Sequence, residues 1–359
     1  MTDSSQENKL ILAGGRTLAY ATSGNPSSTT VILYLHGLFT IGETSRVSRV
    51  IASKDVHYIC PTLPGWGNTS PPFPSVSYAD CLTGDMTALL DHLYPDTERP
   101  PIKLYVAGGS FGTVPAQMLY GASYDKFPYG RSIAGVLLMG AISPFRYHKG
   151  YASRMDWGDY FRVGPIARWL PFRGILMNLV TFWMAKKVST VENAEHFLRE
   201  LIFDKMDEAE KEEHAKWRAR EGIAEGETER RMASNIVRSV ATSWEGFKFS
   251  VSVLHSDWGF RPDTLDEEHS RPLVTLIAGL GDKLSLEAWS RYLAGTYQNT
   301  KLTVFPGGHL SWGGVTGFTS LYIMTPRVLY VSSLLEKQPA DESSSPEALK
   351  TTVEAKTRR

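Results

Sequence analysis

Residues 102–112 read Ile-Lys-Leu-Tyr-Val-Ala-Gly-Gly-Ser-Phe-Gly. The first six form a short apolar, β-branched and aromatic run, as expected for a strand covered on both faces. Residues 114–120 then carry a helical pattern, with Pro115 in the first turn, where a missing N–H costs nothing. Between strand and helix lies G-x-S-x-G, from Gly108 to Gly112. That context predicts a strained strand-to-helix turn with the Ser110 hydroxyl pushed into the open. Side chains at Gly108 or Gly112 would collide with the neighbouring strand or helix.

Working outward, the same kind of buried strand recurs. Thr30–Leu35 (TVILYL) ends at His36-Gly37, and 56–60 ends in Pro61-Thr62-Leu63-Pro64-Gly65. Further runs lie at Ile133–Met139, 273–278 and 301–305. Residues 10–12 and 18–21 read as a hairpin around Gly14-Gly15. Helical stripes separate the strands, the clearest over Tyr78–Leu93 with Leu82, Met86, Leu89, Leu90 and Leu93 on one face. Another helix is expected over 286–293. The alternation predicts a mostly parallel α/β sheet, whose sites belong at the C-terminal strand ends.

From about 144 to 270 the strands stop and helical spacing dominates. Leu198, Leu201, Ile202 and Met206 follow it, as do Met232, Ile236, Val237 and Val240. Ser189-Thr190-Val191-Glu192 has the form of a capping box. The charged stretch 204–231 reads as a solvated helix face. Residues 174–185 are the longest apolar stretch, too short to span a bilayer, and read as a buried or lid helix. The expected organisation is a core of 8–143 and 271–337, a helical cap insertion over 144–270, and a disordered tail over 338–359. Within the core, 318–337 reads as a helix broken near Pro326.

The chain has 359 residues with 38 Lys+Arg against 38 Asp+Glu. Zero net charge argues against nucleic-acid binding, which needs a basic stripe. Cys60 and Cys81 suggest neither a disulfide framework nor a metal cluster. The polar residues 1–9 lack a signal-peptide core. A cytoplasmic, reducing location is expected, with no transmembrane segment. No metal or organic cofactor is implied, because H-E-x-x-H, the Walker loop and the dinucleotide fingerprint are missing.

A serine hydroxyl needs a positioned base to become a nucleophile. Pro306-Gly307-Gly308-His309 follows strand 301–305, so His309 is the candidate base. His36 also follows a strand, but it reads as a loop-fixing side chain. The carboxylate that would orient the base is Asp282, at the end of strand 273–278 in Gly279-Leu280-Gly281-Asp282. Asp263, Asp266 and Glu267 are stand-ins, though they precede that strand. An oxyanion hole would take backbone N–H groups from Phe111, after the serine, and from Leu38, in the loop after Thr30–Leu35.

The chain resembles the α/β-hydrolase superfamily, in its esterase and epoxide-hydrolase-like branch with a helical cap. The resemblance runs from about residue 10 to 337. It rests on Leu35-His36-Gly37, Pro64-Gly65-Trp66-Gly67-Asn68-Thr69-Ser70-Pro71, the turn around Ser110, Trp258-Gly259-Phe260, Asp282 and Gly308-His309. It implies the α/β-hydrolase fold and a triad in the order Ser110, Asp282, His309. Thr62 stands where relatives often carry Asp, and Lys283-Leu284-Ser285-Leu286 follow the acid where many have a proline. Epoxide hydrolases and haloalkane dehalogenases use an Asp nucleophile, so Ser110 argues against both. The turn is similar to that of proline iminopeptidases, but their His-Gly-Gly-Pro-Gly loop is replaced by His36-Gly37-Leu38-Phe39-Thr40.

The expected activity is hydrolysis of a carboxylic ester or related acyl bond through an acyl-enzyme. The alternatives are acyl transfer or C–C cleavage by the same triad, and a binding protein on this scaffold. The expected substrate is a small apolar acyl or aromatic ester. The insertion is rich in aromatic and Met residues, which pack a lid or roof a pocket. Phe39, Trp157, Phe161 and Trp183 are the candidate pocket residues. The oligomeric state is left open.

Overall fold

The computed structural model describes residues 7–45, 47, 49–95, 101–166 and 173–309. The expected helix over 318–337 and the tail over 338–359 lie outside them. All the described residues belong to one compact unit.

Eight strands build one sheet: β1 (Asn8–Ile11), β2 (Thr17–Gly24), β3 (Thr30–Leu35), β4 (His57–Pro61), β5 (Lys103–Gly109), β6 (Ile133–Met139), β7 (Leu273–Gly279) and β8 (Thr300–Phe305). Their spatial order is β1-β2-β4-β3-β5-β6-β7-β8. β1 and β2 pair antiparallel, as does β2 with β4. The other pairs are parallel. Among the described residues, the helices of six or more residues are α1 (Tyr78–Leu93), α2 (Thr113–Gly121), α3 (Trp157–Arg162), α4 (Arg173–Lys187), α5 (Val191–Leu201), α6 (Glu208–Glu221), α7 (Glu227–Val240), α8 (Glu245–His255) and α9 (Glu287–Thr296). Six of them, α3 to α8, lie between β6 and β7.

The continuous apolar runs have a direct physical reading, because side chains alternate across a strand. Val31, Leu33 and Leu35 of β3 join the main core, whereas Ile32 packs with Val56 and Tyr105. Tyr34 packs with Ala107, Leu137, Met139 and Ile277. Both faces of the central strands are therefore covered, and no polar alternation is possible.

The register brings the strand ends together. Leu35 pairs with Gly108, Gly109 with Met139, and Gly279 with Phe305. The loops that leave these residues carry Leu38, Ser110, Asp282 and His309, so the parallel pairing gathers them at one edge.

A bidentate ion pair, Arg16 to Asp85 at 2.6 and 2.8 Å, ties the β1–β2 corner to α1. Arg16 also donates to the carbonyls of Ser70 and Pro71. This fixes the loop after β4.

The helix boundaries correct two readings. The cap of α5 is Thr190, which accepts from Asn193 N–H, one residue later than the expected box at Ser189. A true capping box opens α6 instead, with Asp207 and Glu210 bonding reciprocally. The second correction concerns α4. Of the two alternatives, a buried or a lid helix, full burial is excluded: Ile175, Leu179, Phe182 and Trp183 are exposed, while Met184 and Val188 on the other side are buried.

Candidate active site

Ser110 sits at φ 53°, in the left-handed region that L residues avoid. The two glycines permit this turn. A Cβ on Gly108 would lie 2.3 Å from the Gly112 carbonyl oxygen, and one on Gly112 would lie 2.0 Å from the Leu35 oxygen. Neither atom is backbone that can move without dismantling the sheet. Thr113 holds the turn from below: its hydroxyl donates to the Ser110 carbonyl at 2.7 Å and accepts from Ile142 N–H at 3.0 Å.

Asp282 and His309 are in contact. His309 Nδ1–H donates to Asp282 Oδ2 at 2.8 Å, and the carboxylate side chain is fully buried. The other oxygen, Oδ1, accepts from the N–H groups of Leu284 and Ser285, both at 2.9 Å. Each Asp282 oxygen thus has a defined partner, which fixes the imidazole tautomer with Nε2 as the acceptor. The two loops are bonded to each other as well. Leu280 and Gly281 N–H donate to the carbonyls of Phe305 and Gly307. Backbone approaches so closely there that a Cβ on Gly279 would lie 2.4 Å from the Gly307 oxygen.

Glu210 of α6 is a contact that sequence reasoning missed. It accepts a short hydrogen bond from Gly308 N–H, the residue before His309. α6 carries no buried residue, in keeping with its reading as a solvated face. A charged run offers no sequence signal that singles out the one carboxylate reaching back to the core.

The loop after β3 is held by His36. Its Nδ1–H donates to Gly37 O at 2.8 Å, and its Nε2 accepts from Leu63 N–H at 2.9 Å. Full burial drives its pKa down to about 4, so it is neutral and has no spare site for a transferable proton. Phe39 follows at φ 55°. Its ring is fixed against Trp66, Trp244 and Phe247, with centroids 5.6, 6.3 and 5.1 Å away.

Ser110 and His309 open into one cavity of about 420 Å3. Leu38, Phe39 and Phe111 line it as well, and its far walls include Val163, Leu198, Met232, Ile236 and Leu254. Of the candidate pocket residues, the structure brings in Phe39 only. Trp157, Phe161 and Trp183 do not line the cavity; they face solvent. The roof comes instead from Met155, Asp159 and Val163 around α3 and from the inner faces of α5, α7 and α8. Aromatic content does not say which side each ring takes.

Asp263 and Asp266 are occupied elsewhere, with Arg261 and His269. Cys60 and Cys81 are free and buried, and burial pushes the Cys81 thiol up to about 12. Among the described residues, no cluster of His, Cys, Asp or Glu could hold a metal ion.

Such a sheet, with a serine in a left-handed turn and a His–Asp pair on adjoining loops, defines a hydrolase of the α/β class. The family model described as "Alpha/beta hydrolase family" matches residues 32–314. The chain belongs to that family. Among solved structures, it is similar to a hydrolase from Pseudomonas aeruginosa PA01, at 16% identity and a TM-score of 0.55 over 88% of this chain and 99% of that one. An esterase from Exiguobacterium antarcticum is similar at 13% identity and TM-score 0.55, over 89% and 99%. An esterase from Rhodococcus sp. ECU1013 is similar at 17% identity and TM-score 0.51, over 94% and 99%. At these identities the likeness is one of fold. No curated protein sequence matches.

Proposed function

We propose that the protein is a serine hydrolase cleaving a carboxylic ester or related acyl bond through an acyl-enzyme on Ser110. The observation that carries this is the His309–Asp282 hydrogen bond at the edge of the cavity that Ser110 enters. His309 Nε2 takes the Ser110 proton as Oγ attacks the carbonyl carbon, and Asp282 stabilises the imidazolium. The Leu38 and Phe111 N–H groups receive the oxyanion. His309 then protonates the leaving group and activates water for deacylation. The apolar walls favour an apolar acyl or aromatic group. The esterases among the structural neighbours are consistent with such a substrate. Residues 144–270 act as the cap that shapes the pocket. The two buried free thiols fit a cytoplasmic location.

The test is covalent labelling with a fluorophosphonate, followed by intact mass and peptide mapping. One adduct on Ser110, lost in Ser110→Ala, is expected. An adduct elsewhere, or none on the folded protein, overturns the proposal. Product analysis with an added alcohol separates hydrolysis from acyl transfer.

A further inference from the structure

Helix α4 buries its weaker face. Met184 and Val188 are 6% and 3% exposed, whereas Ile175, Leu179 and Phe182 are each more than 60% exposed and Trp183 is 55%. At 100° per residue, those four and Lys186 fall within an arc of about 100°. A soluble helix ordinarily turns such a stripe inward, so a stripe of this size on the outside marks an interaction surface. On α3, Trp157 and Phe161 are likewise exposed, at 78% and 51%.

Charge selects the occupant. The chain as a whole is neutral, yet α4 carries Lys186 and Lys187 in its last turn and no Asp or Glu anywhere along its length. On the exposed stripe, the Lys186 ammonium lies 4.6 Å over the Phe182 ring, and that of Lys187 lies 5.4 Å over Trp183. Lys187 also faces Glu200 at 3.4 Å, a long and exposed pair. A second copy docking face to face would bring two such basic faces together. An anionic bilayer offers the apolar phase for Ile, Leu and Phe, a headgroup layer for Trp, and countercharge for Lys. No described helix is long and apolar enough to cross a membrane, so the helix would lie in the interface plane.

We propose that the outer face of α4, with Trp157 and Phe161 of α3, docks the protein on an anionic lipid surface. This proposal does not depend on the chemistry assigned to Ser110. Asp159 of α3 lines the cavity, so the docked lipid would lie on the outside of a helix that also walls the site.

The test is co-sedimentation of the full chain with phosphatidylcholine vesicles, with and without phosphatidylserine. The wild type is expected to sediment with the mixed vesicles and about tenfold less with phosphatidylcholine alone. Leu179→Gln with Phe182→Gln should weaken binding to the mixed vesicles by about tenfold or more. Lys186→Glu with Lys187→Glu should do the same, at low salt above all. Both variants should keep wild-type circular dichroism and turnover of a short, water-soluble ester. No sedimentation of the wild type, equal binding to both vesicle types, or unchanged binding by the variants overturns the proposal. So does a wild-type dimer in light scattering that the Leu179/Phe182 variant dissolves, with no vesicle binding; a second copy then owns the face.

Discussion

His36 shows how one residue links the site to the stability of the fold. Its folded pKa of about 4 lies below the ordinary value of 6.5, so the folded state holds the neutral ring. Between those pH values the unfolded chain binds the proton and the folded chain does not. The His36 contribution is therefore complete above pH 6.5 and is lost as pH falls toward 4, on the order of 3 kcal/mol across the window. His57, His148 and His214 are lowered by burial too and act with the same sign. Urea unfolding at a series of pH values should show stability dropping below pH 6.5. His36→Asn, less stable at neutral pH, should show a shallower drop. An identical drop in the variant would assign the effect to the other three. At Ser110 the expectation is kinetic: Ser110→Ala lowers turnover by on the order of 10³–10⁶ with the fold intact. Since only neutral imidazole accepts the proton, kcat/KM should rise with pH on a single limb. A flat profile with chemistry rate-limiting would remove His309 as the base.

Among the elements, legibility followed the strength of the local constraint. The turn at Gly108–Gly112 was readable because sterics leave no other residue at either end. The acid and base loops were readable because parallel strands must end at one edge. Tyr78–Leu93 and Ile133–Met139 were readable to the residue, the first from its apolar stripe and the second from its continuous apolar run. For α4 the same logic failed. Its outward stripe, Ile175, Leu179, Phe182 and Trp183, is more apolar than the Met184 and Val188 face that packs inward, and periodicity does not say which stripe is buried. Glu210 was hidden for a different reason: Asp207, Glu208, Glu212 and Glu213 stand beside it with the same charge, and one tertiary hydrogen bond leaves no pattern. Its contact predicts that Glu210→Ala frees the Gly308 N–H and loosens the His309 loop. The expected result is a fall in kcat of about tenfold or more, with KM little changed and unfolding shifted by no more than about 1 kcal/mol, the worth of the α6 capping box that Glu210 also closes. Glu210→Gln should recover most of the loss, as its amide oxygen still accepts. Equal defects in both variants would point to charge rather than to the hydrogen bond.

On the scale of the whole molecule, the proposed chemistry and most of the far cavity wall belong to different parts of the chain. The candidate triad and the loop after β3 sit at strand ends that flank residues 144–270, whereas most of the far cavity wall comes from α5, α7 and α8. The wall can therefore change without disturbing the His309–Asp282 hydrogen bond. Burying one further methylene stabilises the bound acyl group by about 0.8 kcal/mol, or roughly fourfold in kcat/KM per carbon. On p-nitrophenyl esters kcat/KM should climb over the first few carbons and then fall once the cavity is full. The structure names the residues that set the turning point. Met232 lines the cavity and is only half-buried, so Met232→Trp should fill space and move the optimum to shorter chains. Trp157 is 78% exposed and stands outside the cavity, so Trp157→Ala should leave the optimum where it is. The pH limb should be the same in both variants. A shift in Trp157→Ala without one in Met232→Trp would mean that the acyl group lies along the outside of α3 rather than in the cavity.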